Sequence, residues 1–498
     1  MHSLSRRPLP RRPQQPADSA IAPEWPEIIV LFVATIFDFV LLGAGSHDAV
    51  NWLSPLLLGV IGAWGMWRLI RRAPAAIWTP LFSLRASTVV FLAIGSLTTQ
   101  FGDDAGRESI FSLYAYSPEE GAKTNTVFMA GYFLTFLSVK LASLIHHRPS
   151  RAGRVIFSEA ASLRLGVIFL FLGFGFTLLI QIPILLGGGS LVLPGTLMLM
   201  FSALSAVGTF LVTLWAVERR GAAYLLVALL LFMQLLLSLI MLEKSSVMMA
   251  TLLVGVAFLL NRPSLWRMAA LALALGLILA VISPVITQGR IIHTTIYGDQ
   301  TGGSITERLG YPIEYAGGYR LPGESLGNST FFRLHYVAPS AFVITQYDVG
   351  LNSDTIANSL YAVIPRALWP DKPIISAIGT DLNEMITGQS TSALGVGVFA
   401  DAYWNFGWAG LLIFMPLGAF LWWASWHARE IVENRDWLLM PFVLIVFRIG
   451  MSVDNFLVLA WIAPAVMSII LLVILRLPRE MILASLERAQ GALPVQHR

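Results

Sequence analysis

Apolar runs close to twenty residues long recur along almost the whole chain, with short basic segments between them. About 20 residues at roughly 1.5 Å each is what an α-helix needs to cross hydrocarbon. Inside a bilayer every backbone polar group must be satisfied within the segment itself, which leaves helices as the solution for runs of this kind. The expected fold is therefore an all-α polytopic membrane protein. Charge supports this: only 12% of residues are Asp, Glu, Lys or Arg, about half the share in soluble domains. The net charge of +4 is not the footprint of a nucleic-acid binder, because the cations sit in loops between apolar runs. The lipid bilayer is the expected partner. Without cysteine there is no disulfide, thiol chemistry or Cys-ligated metal.

Twelve spans can be read: Ile28–Gly43, Asn51–Leu69, Ala86–Phe101, Thr126–Ile145, Leu163–Leu186, Pro194–Val217, Ala222–Leu242, Ser246–Leu260, Met268–Ile286, Trp404–Trp426, Trp437–Ser452 and Phe456–Leu475. The loops carrying Arg71-Arg72, His146-His147-Arg148, Arg219-Arg220, Arg262 and Arg435 are basic and are assigned to the cytoplasm. The Asp103–Lys123 loop, the Gly187–Ser190 turn and Glu243-Lys244 then face outside. Residues 1–26 read as a disordered basic cytoplasmic tail. Arg6-Arg7 looks like a twin-arginine signal, but prolines and distance to the first apolar run argue against one. The division is 27–286 for spans one to nine, 287–400 for a loop, 401–476 for spans ten to twelve, and 477–498 for a cytoplasmic tail. Both termini are expected inside.

The loop between spans nine and ten is the one long polar interval. It holds nine carboxylates against six Lys/Arg. The stretch Asn328–Tyr347 has the i, i+3, i+4 spacing of a half-apolar helix, and Asp354 is placed to cap a second over Thr355–Val363. Helices of this type lie in the interface or pack onto spans. The segment from Ile364 to Pro373 contains three prolines, Arg366 and Lys372, and so displays positive charge on a stiff backbone.

Pro365-Arg366-x-Leu368-x-Pro370-x-Lys372-Pro373 is followed by Gly379-Thr380, Gly388, Gly395-x-Gly397 and Tyr403-x-Asn405-Phe406-Gly407-x-x-Gly410. This pattern resembles the O-antigen polymerase (Wzy-type) and oligosaccharide repeat-unit polymerase family of bacterial inner membranes. The resemblance implies about a dozen spans and one large, partly helical periplasmic loop late in the chain. It implies glycosyl transfer at the periplasmic face, with an undecaprenyl-pyrophosphate-linked glycan as donor and a second lipid-linked repeat unit as acceptor. A flippase and a chain-length regulator would be its partners.

A pyrophosphate leaving group needs cations, and arginine supplies paired planar donors. Arg290, Arg333, Arg366, Lys372 and Arg448 are the expected pyrophosphate ligands. A base for the acceptor hydroxyl is sought among His335, Glu307 and Asp401. Each has a blander reading. Arg448 could pair with Asp454 or Asp38 inside the membrane, Arg290 could snorkel, His335 could simply be packed, and Asp401 could cap span ten. No metal or cofactor is expected, since no Asp-x-Asp or nucleotide-binding glycine turn stands in the loop. The competing functions are an O-antigen ligase, a transporter or flippase, and a non-enzymatic member of a glycan synthesis complex.

Overall fold

The computed structural model describes residues 21–101, 108, 111–114, 116–145, 159–187, 195–261, 264–297, 302–316, 335–359, 361, 364, 369, 378–388 and 393–491. Every regular element among them is helical. Helix α1 (Trp25–Gly43) and α2 (His47–Arg72) form a hairpin. A 3-10 turn, Pro74–Trp78, leads into α3 (Pro80–Phe101), and α4 (Pro118–Ile145) follows. Then come α5 (Ala161–Leu185), α6 (Gly195–Arg219), α7 (Ala223–Met241), α8 (Lys244–Asn261), α9 (Leu265–Leu277) and α10 (Ser283–Tyr297). The loop region contributes α11 (Ile305–Ala316), α12 (Val337–Asp348) and α13 (Ile378–Thr387). The last elements are α14 (Val398–Phe406), α15 (Phe414–Glu433), α16 (Met440–Met451) and α17 (Ala463–Gly491).

Eight helices among the described residues are long and apolar enough to cross a bilayer, and two shorter apolar ones, Ser246–Leu259 and Trp437–Met451, accompany them. Their outer faces show what solvent they are built for. On α1, Ile28, Leu31 and Ala34 are buried while Ile29, Phe32, Val33, Ile36 and Val40 are exposed. A face this apolar is stable against hydrocarbon and a liability in water. Helix α4 is the central post, packed against α1, α2, α12 and α15. Helix α16 lies on α3, where Ser83 and Ser87 donate to the Phe447 and Gly450 carbonyls at 2.7 and 2.6 Å. Small and hydroxyl-bearing residues let the two backbones meet, the usual glue between helices in lipid.

The charge rule also sorts the contacts. Lys123 pairs with Asp348, and Gly302 N–H donates to the Leu185 carbonyl at 2.9 Å, joining segments read as outside. Arg435 stands 3.9 Å from Glu218, joining two read as inside.

Several boundaries depart from the sequence reading. Ile21 and Ala22, assigned to the tail, are buried, and the Ala22 carbonyl accepts from Arg68 at 3.1 Å. A guanidinium under hydrocarbon takes whatever acceptor is near. Span three starts at Pro80, six residues before Ala86 (86 minus 80), and contains a π-helical stretch, Thr88–Ile94. The helix expected over Asn328–Tyr347 is α12, which starts at Val337, with residues 328–334 outside the described set. Pro339 explains its start: a proline has no N–H to give the carbonyl four residues back, so it suits a first turn. Of the second expected helix, over Thr355–Val363, residues 355–358 form turns and 359 and 361 are helical, while 360, 362 and 363 lie outside the described set. Asn358 N–H donates to Asp354 O at 2.9 Å and Tyr361 N–H to Asn358 O at 3.0 Å. Span ten begins at Val398 rather than Trp404 and breaks at Gly407.

Candidate functional site

The end of the bundle that carries the loop is built on a knot between three segments. Val398 N–H donates to Val453 O at 2.9 Å and Gly397 N–H to Asp454 O at 3.1 Å. Gly395 makes this approach possible, since a Cβ there would lie 2.4 Å from the Asp454 carbonyl oxygen. One turn into α14, the Asp401 carboxylate accepts from Leu457 N–H and Thr355 Oγ1, each at 2.8 Å. Asn405 Nδ2 donates to Thr355 Oγ1 (2.6 Å) and to the Asp401 carbonyl (2.8 Å), while its Oδ1 accepts Ile356 N–H at 3.0 Å. Gly407 ends α14 at φ +59°, with the Tyr347 ring 2.7 Å from where a Cβ would stand. The segment Tyr403-x-Asn405-Phe406-Gly407 thus closes the base of the loop.

This geometry bears on the expected base. Asp401 is fully buried and both its oxygens hold donors. It caps the start of the last span, not its own helix, and no acceptor hydroxyl can approach it as it stands. Glu307 is placed otherwise too. It closes a capping box at the start of α11: Ser304 N–H donates to it at 2.6 Å, Ser304 Oγ at 3.0 Å, and Glu307 N–H returns to Ser304 Oγ at 3.2 Å. Tyr297 Oη adds a fourth bond at 3.1 Å. Hydrogen bonds from Ser304 hold this carboxyl below the usual range, which makes it a weak base. The Ser-x-x-Glu spacing was the sequence signal for that role.

Two of the expected cations come together. Arg290, on α10, donates through Nε (3.1 Å) and Nη2 to the Leu242 carbonyl. Leu242 sits at φ +52° in the turn between α7 and α8, so Arg290 staples a strained corner. The residue after it, Glu243, lies within electrostatic reach of both Arg290 and Arg448. Arg448, near the end of α16, is half-buried, and among the described residues its guanidinium makes no hydrogen bond or ion pair. Neither Asp454 nor Asp38 is its partner. Lys244 faces Asp454, and the Tyr336 hydroxyl bonds to that same carboxylate. Burial pushes the Asp454 carboxyl up. The corner Glu243-Lys244, with Asp454 and Tyr336, is what sequence reasoning left out of its list of site residues. Its signal was two opposite charges set together in an otherwise apolar hairpin.

His335 adjoins Tyr336 just ahead of α12 and is not on a helix. It is 3% exposed, edge-on to Tyr116 at 6.3 Å, with Tyr336 packed on Phe91 of the π stretch at 5.4 Å. A π-helical turn beside a candidate site is a common association. Burial pushes the His335 imidazole down to about 4, with the Gly95 carbonyl pulling the other way. The folded protein therefore holds neutral His335 while the unfolded chain takes up a proton below about pH 6.5. Stability is expected to fall as pH drops from about 6.5 to about 4 and then level off, a loss of about 3 kcal/mol at full extent. Thermal unfolding of His335→Gln over the same pH range should lack that slope; an identical slope would exclude His335 as its source.

Arg333, Arg366 and Lys372 lie outside the described residues. No protein-family model, curated protein or solved structure matches this chain.

Proposed function

We propose that this protein is a bacterial inner-membrane glycosyltransferase that polymerises undecaprenyl-pyrophosphate-linked oligosaccharide repeat units at the periplasmic face. In this reading it has twelve spans, cytoplasmic termini and a periplasmic loop after span nine. The observation that carries the proposal is Arg448: an intramembrane arginine at the loop end of the bundle, without a bonding partner among the described residues, next to the corner that Arg290 staples. An arginine kept in such a place at such cost is a functional hypothesis in its own right. It is suited to a dianionic pyrophosphate, which it can grip with two parallel donors. Arg366 and Lys372 of the proline-rich segment are the further cations this reading assigns to the pyrophosphate.

The reaction needs little else. The acceptor hydroxyl attacks the anomeric carbon, the bond from that carbon to the pyrophosphate oxygen breaks, and the hydroxyl proton leaves to a base. The leaving group departs as undecaprenyl pyrophosphate, its developing charge met by arginine. Of the three base candidates, neutral His335 alone keeps a ring nitrogen free of donors; with its imidazole held down to about 4 it would relay that proton to water rather than retain it.

The test is deletion of the gene and analysis of surface glycan. Single repeat units capping the lipid A core are the expected result. Loss of surface glycan with lipid-linked polymer accumulating in the envelope would transfer the assignment to an O-antigen ligase. Unchanged glycan would overturn both.

A further inference from the structure

Asp38 lies on the buried face of α1, is fully enclosed, and faces α2 and α4. Neither carboxylate oxygen receives a hydrogen bond. Ser54 of α2 stands against it, yet the Ser54 hydroxyl proton goes to the Asn125 carbonyl of α4 at 3.2 Å. Other polar groups of the same helices are bonded elsewhere. Asn125 Nδ2 donates to Asn51 Oδ1 at 3.0 Å, Asn51 Nδ2 to the Pro118 carbonyl at 2.8 Å, and Thr35 Oγ1 to the Leu31 carbonyl at 2.8 Å. Asn125 Oδ1 is left without a donor as well. Between the three helices the Asp38 carboxylate thus stands fully enclosed with no donor bonded to either oxygen, the Ser54 oxygen beside it, and an unbonded Asn125 Oδ1 on the residue whose carbonyl Ser54 bonds. No charged or titratable side chain of α1, α2 or α4 faces Asp38 among the described residues.

A bare carboxylate in such surroundings is among the costliest groups a membrane protein can hold, and nature neutralises it. A carboxylate, a hydroxyl and an amide oxygen are all hard oxygen ligands for a hard cation. We infer that the pocket formed by Asp38, Ser54 and Asn125 binds one monovalent cation, supplied either as Na⁺ or as a proton on the carboxyl. That charge completes the packing of α1 and α2 on the central helix α4.

The experiment uses the full chain in lipid nanodiscs. Binding of radioactive sodium is measured against a choline background, and the carboxyl stretch is followed by infrared difference spectroscopy through a pH titration. Sodium that binds the wild type and is lost from Asp38→Asn, with weakened binding in Ser54→Ala, establishes the site with Na⁺ as its cation. A protonated-carboxyl band at neutral pH, absent from Asp38→Asn, establishes it with a proton. An ionised carboxylate at neutral pH with no sodium bound overturns the inference, and the wild-type chain alone decides this if Asp38→Asn fails to fold.

Discussion

Arg448→Ala is expected to lower repeat-unit polymerisation by at least about 100-fold, the loss that follows removal of one preorganised donor to a developing oxyanion. The side chain sits near the end of α16, held by packing of that helix on α3 and by the serine bonds to Phe447 and Gly450. Its guanidinium supports no other described group, so truncation should leave insertion and folding intact. Arg448→Lys should recover part of the rate, since it restores the charge without the planar fork. The measurement is the length distribution of glycan made by purified protein from a synthetic lipid-linked repeat unit. A wild-type ladder from Arg448→Ala would remove the residue from the site and take the proposal's chief support with it.

Glu27→Gln is expected to destabilise the fold by about 3–5 kcal/mol, because it leaves a buried arginine without its anion. Arg85 is fully enclosed in α3 and paired with Glu27 at the start of α1. Arg68 of α2 reaches the same carboxylate at 3.1 Å and Glu24 at 3.4 Å. The Arg85 guanidinium also lies over the Phe136 ring, 4.4 Å from its centroid. Gly65 makes the room, since a Cβ there would meet Arg85 Nη1 at 1.6 Å. One carboxylate thus ties three helices together beneath the hydrocarbon. The double variant Glu27→Gln/Arg85→Gln should be more stable than Glu27→Gln alone, because it removes the stranded charge. Thermal unfolding in detergent reads both; a double variant no better than the single would show that packing, not charge, sets the loss.

The class of fold was legible because burying a span in lipid is a local matter: each run of apolar residues satisfies its own backbone, and length plus charge suffices to find it. The loop charges divide the segments into two sets, and the pairs Lys123 with Asp348 and Arg435 with Glu218 each join members of one set. The candidate site was legible only in part. Arg448 and Arg290 stood out because an arginine in an apolar run is costly wherever it points. Asp401 and Glu307 could not be judged that way. Carboxylates at the start of a helix look alike in sequence whether they cap, tie segments together or take a proton, and it is Leu457 N–H and Thr355 on one, Ser304 on the other, that decide.

What the sequence determined by itself is the helical class of this protein and the apolar, membrane-compatible character of its long helices. These follow from composition within each segment. What only the tertiary structure decided is which polar side chains find partners. A twenty-residue apolar run does not say which face a lone Asp or Arg presents, and in a medium without water that orientation separates a satisfied group such as Asp401 from Arg448 and Asp38.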